Sequence, residues 1–146
     1  AAGKLWFEAR VKVVDMPTAS PQFFCGLSVI DTTVIATSLN SSANHIGFES
    51  VTTDGVILFH AEVGGVRTSS TAAIHTFVDG TYVKLGFRVV NRAKIEVYVD
   101  GVLVDTLTAG FPTTEMTPTL VCQSGGTDDP IVHLDWWSCG VEQSAS

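Results

Sequence analysis

Apolar and polar residues alternate one for one along most of this chain. From Leu5 to Val13 every second residue is apolar, and the residues between them include Trp6 and Lys12. A period of two is that of a β-strand with one buried face. The same period, or a short apolar run, predicts further strands from Phe23 to Ile30, His45 to Glu49, Val56 to Val63, Val66 to Thr71, Tyr82 to Val89, Lys94 to Asp100, Val102 to Leu107, Pro118 to Gln123 and Val132 to Trp137.

Turn residues separate these predicted strands. Asp-Gly dipeptides occur at 54–55, 79–80 and 100–101, and Gly-Gly occurs at 64–65. Glycine accepts a positive φ without steric cost and aspartate tolerates it, which favours tight hairpins. No window of useful length shows an apolar repeat of 3.6 residues, and β-branched residues are frequent. The chain is therefore predicted to be all-β, with two antiparallel sheets packed face to face as a sandwich.

The length predicts one domain. A chain of 146 residues can form a real core but is too short for two ordinary domains. We predict a single domain over 1–146, with an ordered core from 3 to 141 and a loose tail from 142 to 146. Loops are predicted where Ser, Thr, Asn, Gly or Pro accumulate, at 31–43, 109–117 and 125–130.

Composition and charge exclude several classes of protein. Hydrophobic residues make up 45% of the chain, enough to bury a core, so global disorder is excluded. The net charge is −7, with only 8 scattered Lys and Arg residues, which argues against a nucleic-acid partner. The longest apolar runs are about five residues, far below the roughly 20 that cross a bilayer, so no membrane partner is expected.

Metal and cysteine chemistry have little support in the sequence. Asp128 and Asp129 could offer oxygen ligands to calcium, but they lack the regular spacing of a calcium loop and fit an ordinary acidic turn. Three cysteines, Cys25, Cys122 and Cys139, share no CxxC spacing and are expected to be small buried hydrophobic residues. A Cys122–Cys139 bridge in an oxidising compartment stays open. We predict no cofactor and no metal.

Catalytic motifs are absent from the sequence. The four histidines fall in four different predicted elements: His45, His60, His75 and His133. No HxH or HExxH spacing supports metal binding, and no GxSxG turn supports an activated serine.

Glycosidase chemistry lacks its residues as well. Paired carboxylates two residues apart on one strand would suit it, but no ExDxxE pattern occurs. Glu49 stands alone, and Glu96 is expected on a plain solvent face between Lys94 and Tyr98. We predict that the protein is not an enzyme.

Aromatic residues are the remaining candidates for binding. Trp6 and Tyr98 occupy alternating strand positions that otherwise hold polar residues, which we call the polar phase. Trp136 and Trp137 are adjacent, so they should place one indole on each face of the last strand. Such rings either stack on sugar rings or are covered by another subunit. Trp6, Tyr98 and Trp137 are the candidate binding or interface residues.

Six ordered sequence stretches resemble a known group of proteins. They are "KLWFEARVKV", "FCGLS", "HIGFES", "GTYVKLGFRV", "VYVDGV" and "LDWWSC", and they extend from Lys4 to Cys139. The first and the "YVDG" hairpin resemble the concanavalin A-like, laminin-G-like jelly-roll sandwich of lectins and glucanases. The ordered set resembles capsid-associated (decoration) virion proteins of tailed bacteriophages. The metal cluster of legume-type lectins and the HxNPR…WxxE arrangement of galectins have no counterpart here.

This resemblance implies a structural role. The chain would be a capsid decoration, or cement, component on a phage head, with the major capsid protein as its partner and a symmetric homo-oligomer as its state. It would lie on the virion surface after synthesis in the host cytoplasm, since no signal peptide is visible at its start. Exposed apolar residues on the polar phase, namely Trp6, Val14, Tyr98 and Trp137, would form the contact. The alternative is a carbohydrate-binding, lectin-like module for host adhesion or within a secreted glycan-active protein.

Overall fold

A computed structural model describes residues 3–15, 22–30, 43–50, 55–124 and 129–142. Within these ranges the chain forms eleven β-strands and no helix, so no helix there could cross a membrane. The strands are β1 (Lys4–Val14), β2 (Gln22–Ser28), β3 (His45–Ser50), β4 (Val56–Val63), β5 (Val66–Ser69), β6 (His75–Thr76), β7 (Val83–Val90), β8 (Lys94–Val99), β9 (Val102–Leu107), β10 (Thr117–Gln123) and β11 (Ile131–Glu142).

The strands form two antiparallel sheets. Sheet I has the order β11-β1-β7-β8-β9. Sheet II has the order β10-β2-β3-β4-β5, with the short β6 paired to β4. The prediction of an all-β chain with two antiparallel sheets is therefore confirmed.

Phenylalanine rings join the two sheets in the core. Phe87 of sheet I stacks on Phe7 of the same sheet, with ring centroids 5.5 Å apart. It also lies 5.4 Å from Phe59 and 6.3 Å from Phe48, both in sheet II. All four rings are buried. Such aromatic contacts stabilise a core beyond the area they remove from water.

Strand ends follow the predictions closely, with two differences. The pairing of His75 and Thr76 with β4 was not predicted, because two residues are too few to show a period. The predicted loose tail begins too early: β11 continues to Glu142, whose carboxylate lies 3.2 Å from the Nζ of Lys4. Most of the predicted loop at 31–43, part of that at 125–130 and tail residues 143–146 lie outside the described residues.

A β-bulge interrupts the pairing of β1 with β11. Arg10 lies opposite Trp136. The next residue, Val11, lies opposite Leu134, which leaves Asp135 as an extra residue. A bulge of this kind shifts the phase of every residue beyond it.

This bulge overturns the predicted orientation of Trp137. The indole is on the same side of sheet I as buried Ala9, which is the core side rather than the outer side. It is nevertheless 50% exposed, because β11 is the last strand of its sheet. The two indoles of Trp136 and Trp137 do lie on opposite faces, as predicted, but neither is buried.

The cysteines are less uniform than expected. Cys25 is buried, Cys122 is half-buried and Cys139 is exposed, and all three thiols are free. Cys122 lies on β10 and Cys139 on β11, the edge strands of the two sheets, where a neighbouring strand is missing on one side. Burial raises the pKa of the Cys25 thiol to about 12, so this thiol is inert.

Candidate functional site

The outward side of sheet I collects the large amphipathic rings. Trp6 on β1 and Tyr98 on β8 point outward, as predicted from the alternation in their strands. Trp136 on β11 is opposite Arg10, which also points outward, so Trp136 lies on the same side. Tyr82, just before β7, lies beneath the Arg10 guanidinium on the same side. We call these four residues the aromatic face. They are four of the five Trp and Tyr residues of the chain, so the distribution is strongly one-sided.

A depression of about 200 Å³ lies in the aromatic face. Two cross-strand rows form it: Trp6 is opposite Arg88, and Glu8 is opposite Gly86, which in turn is opposite Tyr98. Gly86 has no side chain, so the sheet surface itself is the floor between Glu8 and Tyr98. The structure therefore brings Trp6 and Tyr98 to the rim of one depression.

The Trp6 indole rests on the backbone of β11. A Cβ built at Gly140, directly opposite Trp6, would lie 2.9 Å from the indole Nε1. Any side chain at this position would force the indole to shift. The indole remains 39% exposed.

Glu96 holds the Tyr98 side of the depression in place. The Tyr98 hydroxyl donates to its carboxylate at 2.9 Å, Arg88 donates from Nε at 2.9 Å and from Nη2 at 2.5 Å, and Lys94 Nζ lies 2.6 Å away. Hydrogen bonds from Lys94, Arg88 and Tyr98 lower the pKa of Glu96 to about 2. The expectation that Glu96 lies on a plain solvent face is therefore wrong, because three donors converge on its carboxylate.

Positive charge accompanies these rings. Arg10 and Lys12 lie over the Tyr82 ring, 4.2 and 4.9 Å from its centroid, in cation–π geometry. Arg10 also pairs with Asp135. Six of the eight Lys and Arg residues occupy the outward side of sheet I: Lys4, Arg10, Lys12, Lys84, Arg88 and Lys94.

A second group of polar residues lies on the outward side of sheet II. We call it the polar cluster, and it consists of His45, Glu49, His60, Glu62 and Arg67. The first four are buried and Arg67 is half-buried. The sequence alone indicates scattered histidines and an isolated Glu49. The pairing of β3, β4 and β5 overturns that, because it brings residues up to 18 positions apart, such as Glu49 and Arg67, into hydrogen-bonding contact.

Arg67 connects the two carboxylates of the cluster. Its Nε donates to Glu62 at 3.1 Å, and its Nη1 donates to Glu49 at 3.3 and 3.4 Å. His60 lies alongside, with Nε2 3.8 Å from a Glu49 oxygen and Nδ1 2.7 Å from the Ser69 hydroxyl.

Burial shifts the titration of the cluster. It raises the pKa of Glu49 to about 7, although Arg67 opposes the shift. It lowers the pKa of His60 to about 4, with the positive charge of Arg67 adding to the effect. Burial also lowers the pKa of His45, whose Nδ1 is 2.8 Å from the Ala43 carbonyl and whose Nε2 has no partner among the described residues. Both imidazoles are therefore neutral at pH 7.

The other candidate residues lie elsewhere. Trp137 lines a separate cavity of about 120 Å³ beside Leu134 and Leu120, so it does not join Trp6 and Tyr98. Asp129 is exposed and Asp128 lies outside the described residues. Across the described ranges, no three His, Cys, Asp or Glu residues are placed to hold a metal ion.

A sequence signal for the polar cluster did exist. His60 and Glu62 share one phase of β4, and Glu49 and His45 share the outward phase of β3. The Gly64-Gly65 turn then pairs Glu62 with Arg67. What the sequence could not supply was the order of strands in the sheet, which depends on contacts distant along the chain.

Solved structures with this fold are numerous, at low sequence identity. One described as a native glycosidic hydrolase aligns with a TM-score of 0.62 and 15% identity, over 94% of this chain and 64% of its own length. The carbohydrate binding module CBM66 from Bacillus subtilis aligns at 0.56 and 12%, over 98% and 78%. The family 7 alginate lyase A1-II′ aligns at 0.53 and 13%, over 99% and 63%. The chain thus spans under two thirds of the hydrolase and of the lyase.

These alignments show the fold. With the two antiparallel sheets, they identify a jelly-roll β-sandwich of the concanavalin A-like type, as the sequence resemblance implied. Identities of 12–15% carry no activity from one protein to another. No protein-family model matches the chain, and no curated protein matches it significantly.

Proposed function

We propose that the protein is a carbohydrate-binding module that holds a glycan on the aromatic face. The observation that carries the proposal is the segregation of Trp6, Tyr82, Tyr98 and Trp136 to one outward surface of sheet I. Trp6 and Trp136 are 39 and 38% exposed, and a group of partly exposed rings on one sheet surface is typical of a binding site. A sugar ring covers an aromatic face with its C–H groups while its hydroxyls reach polar neighbours.

Polar groups suited to sugar hydroxyls surround the depression. Glu8 lies across Gly86 from Tyr98, and the Arg88 guanidinium lies next to Trp6 along the sheet. Glu96 fixes the Arg88 and Tyr98 side chains, so little conformational freedom would be lost when a ligand binds. A rigid apolar surface with a few fixed polar groups is typical of small-ligand sites.

The comparison with solved structures supports the same proposal at the level of the fold. A carbohydrate binding module and glycan-active enzymes share this sandwich, and CBM66 is matched over most of its length. Among the residues that line the depression, Glu8 is the carboxylate, and it lies across Gly86 from the Tyr98 ring.

The test is glycan-array screening followed by calorimetric titration of the best ligand. Trp6→Ala and Tyr98→Ala should each weaken binding at least about tenfold, since truncating a stacked aromatic costs more than 1 kcal/mol. Trp137→Ala is the matched control, an exposed indole away from the aromatic face, and should bind like the unmodified protein. Saturable binding that survives both substitutions, or none on a broad array, would reject the proposal.

The capsid decoration role is the second candidate, and one observation favours it. The core side of β11 exposes Leu134, Trp137 and Val141 by 40, 50 and 66%, which leaves an apolar strip at the sandwich edge. Such strips suit a subunit contact. The phage assignment itself depends on the sequence resemblance and stays a prediction. Quantitative mass spectrometry of purified particles would support it by a fixed ratio to the capsid subunit, and absence from particles would end it.

A further inference from the structure

Ser69 and His60 form a close contact at the edge of sheet II. Ser69 lies on β5, an edge strand of sheet II, and is exposed. Its Oγ is 2.7 Å from Nδ1 of His60, which is only 5% exposed. A hydroxyl in solvent with a shielded imidazole behind it is the arrangement in which a serine is activated by a base.

Glu49 lies at the other nitrogen of the same imidazole. Its Oε2 is 3.8 Å from His60 Nε2, and its side chain is 2% exposed. Arg67 donates to this carboxylate and holds it in place. Carboxylate, imidazole and hydroxyl thus follow one another from the buried part of the cluster to the surface, the order of roles in serine hydrolases.

The strand pairing fixes these three side chains. Ser69 is directly opposite His60 in the β4–β5 ladder, so neither depends on a loop for its position. The next residue, Ser70, anchors β5 to β4: its backbone N–H donates to the Phe59 carbonyl at 2.8 Å, and its hydroxyl accepts from the Phe59 N–H at 3.2 Å.

We propose that Ser69, His60 and Glu49 form a hydrolytic site for carboxylic esters with short acyl groups. Ser69 is the nucleophile, His60 the general base and acid, and Glu49 the positioning residue that orients the imidazole. The site lies on sheet II, away from the aromatic face, and does not depend on glycan binding. No sequence motif marks this pair, because Ser69 and His60 come into contact only through the pairing of β4 with β5.

The reaction balances with water as the co-reactant. Ser69 Oγ attacks the ester carbonyl carbon while its proton passes to His60 Nδ1. The C–O bond to the alcohol then breaks, and the leaving oxygen takes that proton. Water attacks the acyl-serine, giving its proton to His60. The carboxylic acid leaves as Ser69 Oγ is protonated again.

The charges around the site keep His60 unprotonated. His60 is neutral at pH 7, as a base must be, because burial and Arg67 lower its pKa to about 4. Arg67, two residues before Ser69 on the same side of β5, donates to Glu49 and Glu62 and so holds the Glu49 carboxylate beside the imidazole.

Two assays test the site on the intact protein. Wild type should react covalently with a fluorophosphonate probe at Ser69 and hydrolyse p-nitrophenyl acetate above background. Ser69→Ala should abolish both signals, and His60→Asn should slow hydrolysis at least about 100-fold. Thr71→Ala, an exposed hydroxyl two residues on, is the matched control and should keep both. A wild type without labelling, or labelling that persists in Ser69→Ala, overturns the proposal.

Glu49→Gln separates positioning from a merely structural effect. The groups facing His60 from the neighbouring strands are His45 and Glu49 on β3 and Arg67 on β5, with Glu62 on its own strand. Because the pKa of Glu49 is about 7, wild-type hydrolysis should rise with pH through that value. The Gln variant should lose this rise and show a lower kcat. An unchanged pH profile would remove Glu49 from the site. Labelling and hydrolysis are measured without glycan, so failure here is distinct from failure of glycan binding.

Discussion

The Trp6 indole lies directly on the backbone of Gly140, its cross-strand partner. A Cβ at that glycine would lie 2.9 Å from Nε1 and 3.0 Å from two ring carbons. The orientation of the indole is therefore fixed by a residue that has no side chain. This contact makes the geometry of the aromatic face depend on β11, the edge strand of sheet I.

Gly140→Ala should displace the indole without changing any group that would contact a ligand. We expect a shift in Trp fluorescence and a several-fold loss of glycan affinity, since the ring must move by some tenths of an ångström or more. Ser138→Ala, two residues away on the same side of β11, is the control and should leave affinity unchanged. Equal affinity of the two variants would show that ring orientation does not matter for binding.

The contributions of the Tyr98 ring and of its hydroxyl to glycan binding can be measured separately. Tyr98→Phe keeps the aromatic surface and loses only the 2.9 Å hydrogen bond to Glu96, which Arg88 and Lys94 continue to neutralise. We expect Tyr98→Phe to retain affinity within about threefold and Tyr98→Ala to lose at least about tenfold. Calorimetric titration of both variants measures this. Similar losses in the two would mean that the hydroxyl, not the ring, makes the contact.

The polar cluster predicts two opposing pH effects on stability. Folding raises the pKa of Glu49 from 4.5 to about 7, so its stabilising effect is present at low pH and is lost as pH rises through that window. Folding lowers the pKa of His60 from 6.5 to about 4, so its effect is present at high pH and is lost as pH falls. The two nearly cancel in the wild-type protein.

Substitution should reveal each effect alone. Between pH 7 and pH 4.5, Glu49→Gln should lose stability on the order of 2 kcal/mol more than wild type, because only the histidine effects remain. His60→Asn should instead become relatively more stable with acid. Urea unfolding across this pH range measures both. Parallel curves for all three proteins would contradict the assigned burial effects.

Phe87 of sheet I contacts two rings of sheet II, Phe48 and Phe59. Phe87→Ala should lower the free energy of unfolding by about 3–5 kcal/mol, because it removes contacts with Phe7, Phe48 and Phe59 and leaves a cavity. Val102→Ala, at an exposed position, should change it by less than about 0.5 kcal/mol. Urea denaturation at fixed pH compares them, and similar midpoints would be inconsistent with this core.

Local patterns predicted the strands well because alternation and turn chemistry are local. The hairpin of β8 and β9 is the best case: Asp100 and Gly101 both have positive φ, at 49° and 82°, as their residue types indicated. The outward orientation of Trp6 and Tyr98 also followed from phase alone.

Properties that depend on distant pairing were not predictable. The extra residue at Asp135 reverses the phase of Trp137, and nothing in the alternation of β11 marks it. The contact of His60 with Glu49 requires β3 beside β4, and burial of Glu96 requires Arg88 from the neighbouring strand. Candidate sites built from several strands can therefore be recognised only when the pairing of those strands is known.

The bulge at Asp135 also bears on the solubility of the molecule. β11 is twelve residues long and lies at a sheet edge, where a straight apolar strand would act as a template for another chain and promote fibrous aggregation. The extra residue puts two consecutive side chains, Asp135 and Trp136, on one face. A regular strand of another molecule can hydrogen-bond to β11 before the bulge or after it, but it cannot continue across the bulge. Deleting Asp135 would straighten the edge and should convert a protected strand into an aggregation site.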